Sequence, residues 1–386
     1  MARFVHIADL HLGRTLNNYS LLDEQKHALD QIVRFIEESK PAVDALLIAG
    51  DVFDRAVPPT DAIVLLNDLF RAVAAKLATP VFVIPGNHDN AHRMNLTHGL
   101  TKDTLRIAPS IEDGLTRVRI LDQFGPIDIF LVPFLEPALV RFATGDASAR
   151  DQESALRAVI EQIHSQNDRA HRCVLMAHAF VRNATQSDSE RDLYVGGSGQ
   201  VDGSIFKSFD YVALGHLHKA QTVDDAGRIQ YSGSLLKYSK SEASHSKSFT
   251  VIDMNAEGAV ETMRVPLNHK RDLRVVRGLF SSIVAGAEKD QNRDDFVFFE
   301  LEDDVPVSEV MVRLQGWYPN AVHLNYVEKE TEMVDSKPIV EHQELTIQGH
   351  FRTFYEHVTG QSMDIQQNDA IEILIAKMDA GEDRPS

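Results

Sequence analysis

Tyr211-Val212-Ala213-Leu214-Gly215-His216-Leu217-His218 joins an apolar run to a glycine and two histidines. A short apolar run of this kind reads as a strand buried on both faces. The abrupt change to Gly-His-Leu-His puts imidazoles just past its carboxyl end. The same construction recurs four times. Phe4-Val5-His6-Ile7-Ala8 leads into Asp9-Leu10-His11, and Leu46-Leu47-Ile48-Ala49 into Gly50-Asp51-Val52-Phe53-Asp54. Val81-Phe82-Val83-Ile84 leads into Gly86-Asn87-His88-Asp89, and Val174-Leu175-Met176 into Ala177-His178. The repeated strand-then-ligand pattern predicts an α/β fold whose polar residues gather at one edge of a sheet, where open α/β sheets hold their ligands.

Those five motifs supply seven candidate metal ligands: Asp9, His11, Asp51, Asn87, His178, His216 and His218. Seven donors of this type suit two divalent ions around a shared carboxylate, which points to metal-assisted phosphoester hydrolysis. Gly50, Gly86 and Gly215 stand where each strand must turn and where backbone must approach closely. Asp-x-His on an extended backbone would place Asp9 and His11 on one side, and His216 and His218 likewise. His178 has the least context, and a satisfied core histidine would look the same. No Gly-x-Ser-x-Gly or Walker-type loop offers another nucleophile or phosphate cradle.

The order of the motifs resembles the calcineurin-like metallophosphoesterase superfamily. Further stretches resemble its branch of DNA nucleases that work as a subunit beside an SMC-family ATPase: Asp51-Val52-Phe53-Asp54 with Pro58-Pro59, Arg191-Asp192-Leu193-Tyr194-Val195-Gly196-Gly197, and Tyr231-Ser232-Gly233-Ser234. The resemblance covers nearly the whole chain, in layout more than wording over the last third. It implies a layered metallophosphoesterase sandwich, one metal held by Asp9, His11, Asp51 and His218, and a second by Asp51, Asn87, His178 and His216. Manganese suits such oxygen and imidazole donors, and magnesium, iron or zinc fit the same set. His88 would act on the phosphate rather than on a metal. Asp54 could pair with His88 and favour its imidazolium form, or serve as a turn carboxylate. Double-strand exonuclease and single-strand or hairpin endonuclease action in DNA repair, recombination and replication is implied too. So is a homodimer within a heterotetramer, with helical surface near Ile63 to Phe70 and His92 to Leu100 as the contact. The rival is a phosphatase or small-molecule phosphodiesterase, because Gly50-Asp51-x-x-Asp54-Arg55 also resembles the phosphoprotein phosphatase pattern. Gly-Asn-His-Asp, in place of the phosphatases' usual Glu ending, speaks against it.

The 386 residues suffice for two domains and an appendage. No run is long enough to span a membrane, no signal pattern opens the chain, and the one cysteine, Cys173, excludes an internal disulfide. A cytoplasmic protein with a buried thiol is expected. The formal charge of -18 looks wrong for a partner of DNA. Residues 1–284, however, carry about 35 acidic and about 31 basic side chains, so most of the excess lies beyond them. Phosphate contacts need local cations, and Arg14, Arg55, Arg93, Lys219, Lys237, Lys240 and Lys247 are the candidates.

Alternating strand-like and helical patterns, with helices expected over 23–39, 59–76 and 152–164, make residues 1–265 the catalytic domain. After Pro266 a new strand and helix order, with Trp317 in its core, makes 266–330 a small α+β capping domain. In 331–386, Ile347, Phe351, Phe354 and Val358 recur at helical spacing, and Ile371, Leu374, Ile375 and Met378 do so again after Asn368, an expected N-cap. This C-terminal helical tail must pack its apolar stripes on the capping domain, on itself or on a partner. The resemblance implies the coiled coil of the ATPase.

Overall fold

The computed structural model describes residues 1–94, 104–166, 171–190 and 199–327, together with 352, 355, 362, 363, 367, 368 and 371. The chain divides into two compact units, Met1–Val327 and Glu328–Ser386.

Two six-stranded sheets form the centre of the first unit. In one, the strands lie in the order Val260–Pro266, Ser248–Met254, Ala2–Ile7, Ala45–Ala49, Val81–Ile84 and Leu105–Ile107. In the other the order is Gln221–Thr222, Ile229–Tyr231, Tyr211–Gly215, Arg172–His178, Gly125–Leu131 and Thr116–Asp122. Strand alternation explains why the apolar runs are continuous. Phe4, Leu47 and Phe82 point between the sheets to meet Ile129, Val174 and Tyr211, while Val5, Leu46 and Val81 point outward. The outward set is covered by helices Leu22–Glu38 and Thr60–Phe70, and the second sheet's outer face by Pro137–Thr144 and Gln152–Gln166. Each side of a strand is therefore buried, giving a helix, sheet, sheet, helix sandwich. Asp23 and Glu24 in the first turn of Leu22–Glu38 complement that helix's dipole. The helix expected over 59–76 is α-helical to Phe70 and continues in wider π turns over Arg71–Lys76.

Residues Leu273–Gly278, Phe296–Leu301 and Ala321–Tyr326 form a separate parallel three-stranded sheet. With helices Phe280–Ala287 and Val310–Gln315 it encloses its own core around Phe299, Leu301 and Leu314. Tyr318 occupies that core, whereas Trp317 is only partly buried against it. Tyr19 donates to the Pro319 carbonyl at 2.9 Å, Lys237 donates to Asp272 and Arg271 pairs with Glu24, so this layer is anchored to the first sheet's side of the sandwich.

In the second unit, Arg352, Tyr355, Gln367, Asn368 and Ile371 are helical. Asn368 is thus already inside its helix and is not the N-cap expected of it. Its side chain accepts from Arg352 Nε at 2.6 Å and donates to the Met363 carbonyl. Ile347, Phe351, Phe354, Val358, Leu374, Ile375, Met378 and the stretch from Arg191 to Gly197 lie outside the described residues.

Candidate metal centre

Parallel pairing brings the first three motifs to one edge. Ile7 pairs with Ile48 and Ala49 with Ile84, so Asp9, Asp51 and Asn87 follow the carboxyl ends of neighbouring strands. The loops remain side by side: Asp9 N–H donates to the Gly50 carbonyl and His11 N–H to the Asp51 carbonyl, each at 3.0 Å. In the other sheet Gly215 pairs with His178. The two sheets meet at this edge because Gly215 carries no side chain; a Cβ there would lie 1.8 Å from the Ala49 carbonyl oxygen. Gly86 has the same role beside the candidate bridge, where a Cβ would lie 2.2 Å from Asp51 Oδ1.

Extended Asp-x-His geometry does not occur. Asp9 has φ of 52°, His11 of 43°, Asp51 of 47° and His216 of 108°. These residues lie in the left-handed region, which non-glycine residues occupy at a cost of roughly 1–3 kcal/mol each. Strained turns, rather than alternation along a strand, aim the donors inward. Backbone bonds hold the turns: His216 N–H donates to Asp9 Oδ1 and His88 N–H to Asp51 Oδ1, both at 2.9 Å.

All seven expected ligands are brought together. His11 Nε2 faces His218 Nε2 at 3.0 Å, and His178 Nε2 faces Asn87 Oδ1 at 3.0 Å. Asp51 Oδ2 lies between these pairs, 3.7 Å from His11 Nε2 and 3.5 Å from His178 Nε2. Asp9 falls within one cluster with His11 and His218 and another with Asp51 and His178. Asp9 Oδ2 and His216 Nε2 are buried with no hydrogen-bond partner among the described residues. Orphaned acceptors and opposed lone pairs cost free energy in a dry site, and cations satisfy both. Two nitrogens about 2.1 Å from one ion, at right angles, stand about 3.0 Å apart. The donor set therefore fits a two-metal site.

Electrostatics without the ions shows the same crowding. Burial, with the nearby Asp51 carboxylate adding to it, holds the Asp9 carboxyl well above the usual range. Burial also opposes charge on Asp51, but His178, His11 and His88 outweigh it and pull that carboxyl well down. At His178 burial lowers the pKa, yet Asp51 and Asp9 overcome it and raise the ring to about 9. His11 and His216 are pushed well down, chiefly by burial.

His88 sits beside this cluster, its ring edge-on to His11 at 4.7 Å. The expected pairing of Asp54 with His88 runs through the backbone: His88 Nδ1–H donates to the Asp54 carbonyl at 2.9 Å. The Asp54 carboxylate instead approaches Arg14 Nη1 at 3.2 Å and Arg55 Nε at 3.5 Å. With Nδ1 engaged, His88 Nε2 is left facing Asp51 Oδ2 at 3.9 Å.

Sequence reasoning missed three carboxylates at the site, Asp89 and Glu190, which are half-buried, and Glu242, which is fully buried. Asp89 accepts from the N–H groups of Val52, Phe53 and Gly86, clamping the second motif to the third. Its place three residues after Gly86 was the available signal, since Asp in a loop binds nearby backbone. Glu190 accepts from His218 N–H at 2.6 Å. Glu242 lies behind His218, and no motif marks it. Lys247, expected as a DNA contact, is buried, and its ammonium donates to Glu242, Ser234 and the His218 carbonyl. All three of its donors are thus spent inside the protein. Lys237 and Lys240 are paired with Asp272 and Glu300. Arg55, Arg93 and Lys219 are exposed. Lys247→Met would leave the Glu242 carboxylate buried without a counter-charge, and a loss of roughly 3–5 kcal/mol of stability is expected. Denaturant unfolding of the metal-free protein measures it.

Residues 2–220 match the calcineurin-like phosphoesterase family, and residues 269–359 match the type 5 capsule protein repressor C-terminal domain. The chain is 31% identical over 376 residues to SbcD, a component of the nuclease SbcCD of Staphylococcus epidermidis, covering 97% of this chain and 98% of that one. Among solved structures, a dimetal phosphatase from Danio rerio aligns with a TM-score of 0.39 at 14% identity, over 69% of this chain and 99% of that one. The TT1561 protein of Thermus thermophilus aligns with a TM-score of 0.38 at 14% identity, over 68% and 98%.

Proposed function

This chain belongs to the calcineurin-like phosphoesterase family, and from that premise we propose that it is a two-metal DNA nuclease of the SbcD type. The observation that carries the reading is the convergence of seven donors around the buried Asp51 carboxylate. One ion would be held by Asp9, His11, Asp51 and His218, and the other by Asp51, Asn87, His178 and His216. Manganese is the metal proposed, and magnesium, iron or zinc fit the same oxygen and imidazole donors. Two such ions supply Lewis acidity to the phosphate and lower the pKa of water.

The chain's own groups do the rest. Asp51 lies between the two sets of donors and fixes their separation. His88 Nε2 faces the reacting phosphate; with Nδ1–H committed to the Asp54 carbonyl, it donates to the phosphate or to the leaving oxygen as the imidazolium, in which both ring nitrogens carry protons. Arg14, stacked on Tyr238, and exposed Arg55 offer the nearest cations to a DNA backbone.

The reading extends to assembly. Residues 1–265 are the nuclease domain, 266–330 the capping domain and 331–386 the segment that docks on an SbcC-like SMC-family ATPase in the cytoplasm. Ile63 and Val64, exposed on helix Thr60–Phe70, belong to the surface of a homodimer within a heterotetramer. No helix among the described residues is long and apolar enough to cross a membrane.

The test is manganese-dependent digestion of linear double-stranded and hairpin DNA, by the chain alone and with its ATPase partner. DNA cleavage that ATP stimulates in the complex is the expected result. Hydrolysis of aryl phosphate monoesters with no DNA cleavage under either condition would replace this reading by the phosphatase. Phe351→Glu with Phe354→Glu places charge on the expected apolar stripe of the tail, which burial against a coiled coil disfavours. Co-purification with the ATPase and ATP stimulation should both be lost, while manganese binding and residual cleavage persist. Retained complex formation would rule the tail out as the docking element.

A further inference from the structure

The buried polar chain behind His218 has a direction that chemistry fixes. Glu242 is fully buried and, as a carboxylate, only accepts. Ser189 Oγ–H donates to Glu242 Oε1, which leaves an oxygen lone pair facing His218 Nδ1 at 2.7 Å. Glu242 Oε1 itself stands 3.3 Å from Nδ1. The ring proton is thereby drawn to Nδ1, and the lone pair is left on Nε2, the nitrogen that faces His11 Nε2 at 3.0 Å.

On the far side, Lys247 Nζ donates to Glu242 Oε2 at 2.5 Å and to the His218 carbonyl at 2.9 Å. One ammonium thus grips both the carboxylate and the backbone of the residue that the carboxylate orients. Tyr238 N–H and Ser239 Oγ also donate to Glu242 Oε1, which ties the 234–247 loop to the centre.

We propose that Glu242, acting through Ser189 and held by Lys247, is a positioning residue for the ion bound by His11 and His218. It fixes the ring orientation and the Nδ1–H tautomer of His218, and it does not touch the ion. Outer-sphere partners of this kind change metal affinity about 10–100-fold when removed. The effect falls chiefly on one ion, because among the described residues the hydrogen bonds that run from Lys247 to His218 reach none of Asn87, His178 and His216. This inference rests on the two-metal reading above.

Cobalt(II) titration of the full-length, metal-free protein, followed by calorimetry and ligand-field absorption, tests it. Glu242→Gln with Lys247→Met removes both buried charges together, and Ser189→Ala breaks only the relay. The wild type should take up two ions. The double variant should bind one of them about 10–100-fold more weakly, with an altered absorption band for that ion alone. Ser189→Ala should weaken the same ion by a smaller factor. Two ions bound with wild-type affinity in Ser189→Ala and in the double variant would overturn the proposal. So would equal weakening of both ions in Ser189→Ala, which marks a general loosening. If the double variant does not fold, Ser189→Ala decides alone: selective loss supports the relay and no loss overturns it. A wild type that binds fewer than two ions would instead bring down the two-metal reading itself.

Discussion

Asp51→Asn is expected to abolish uptake of both ions and to lower DNA cleavage by on the order of 10³-fold. Asp51 Oδ2 is the atom that His11, His178 and His88 all face, at 3.7, 3.5 and 3.9 Å. Neutralising it removes the charge that offsets two divalent cations in a site where water screens little. A histidine at either end of the cluster serves one ion, so its loss should cost less. Asn keeps an Oδ1 to accept the His88 N–H bond, while the buried His178 ring loses the carboxylate that raises its pKa, so some stability of the metal-free fold is expected to go as well. Calorimetric titration with manganese is the measurement. Two intact sites of wild-type affinity in the variant would contradict the bridging role.

The strain at Asp9, His11, Asp51 and His216 gives metal removal a second consequence. Left-handed backbone at these positions is held by hydrogen bonds between loops and by close approach at Gly86 and Gly215. Bound ions would add to that support, because a ligand that binds only the folded state stabilises it by mass action. The centre is therefore built into the edge of the sandwich rather than laid upon it.

The sequence made the strands and the seven ligands legible because burial on both faces forces continuous apolar runs, and because Gly-Asp, Gly-Asn-His and Gly-His-x-His break those runs abruptly. The line from Leu273 to Leu324 showed its strand and helix order for the same reason. The local geometry was not legible. Asp-x-His looks extended on paper, and only the packing of Asp9 against the Gly50 loop turns its backbone left-handed. Lys247 and Glu242 were misread or overlooked because a charged residue in a Ser-rich loop ordinarily faces solvent. Their burial depends on His218 and Ser189, which lie 24 and more residues away. Trp317 yielded the core position to Tyr318 since the helix before it ends at Gln315 and sets which neighbour faces inward.

His88→Ala is expected to keep both ions and lose cleavage by roughly 10²–10⁴-fold. The motif that contains His88 contributes Asn87 to the ligand set, so the two neighbours must divide their roles. Asn87 Oδ1 turns to His178, whereas His88 donates Nδ1–H to Asp54 and presents Nε2 toward the bridge region. That orientation suits transfer of a proton or a hydrogen bond to phosphate from the imidazolium form, because the carbonyl behind the ring holds one proton on Nδ1 and a second on Nε2 is the one that can be given up. His88 also stands close enough to His11 and Asp51 to make a ligand triangle with them. Metal content and cleavage must therefore be measured on the same preparation. Loss of one equivalent of metal together with activity would place His88 among the ligands. Full metal content with cleavage gone would leave it the group that acts on the phosphate.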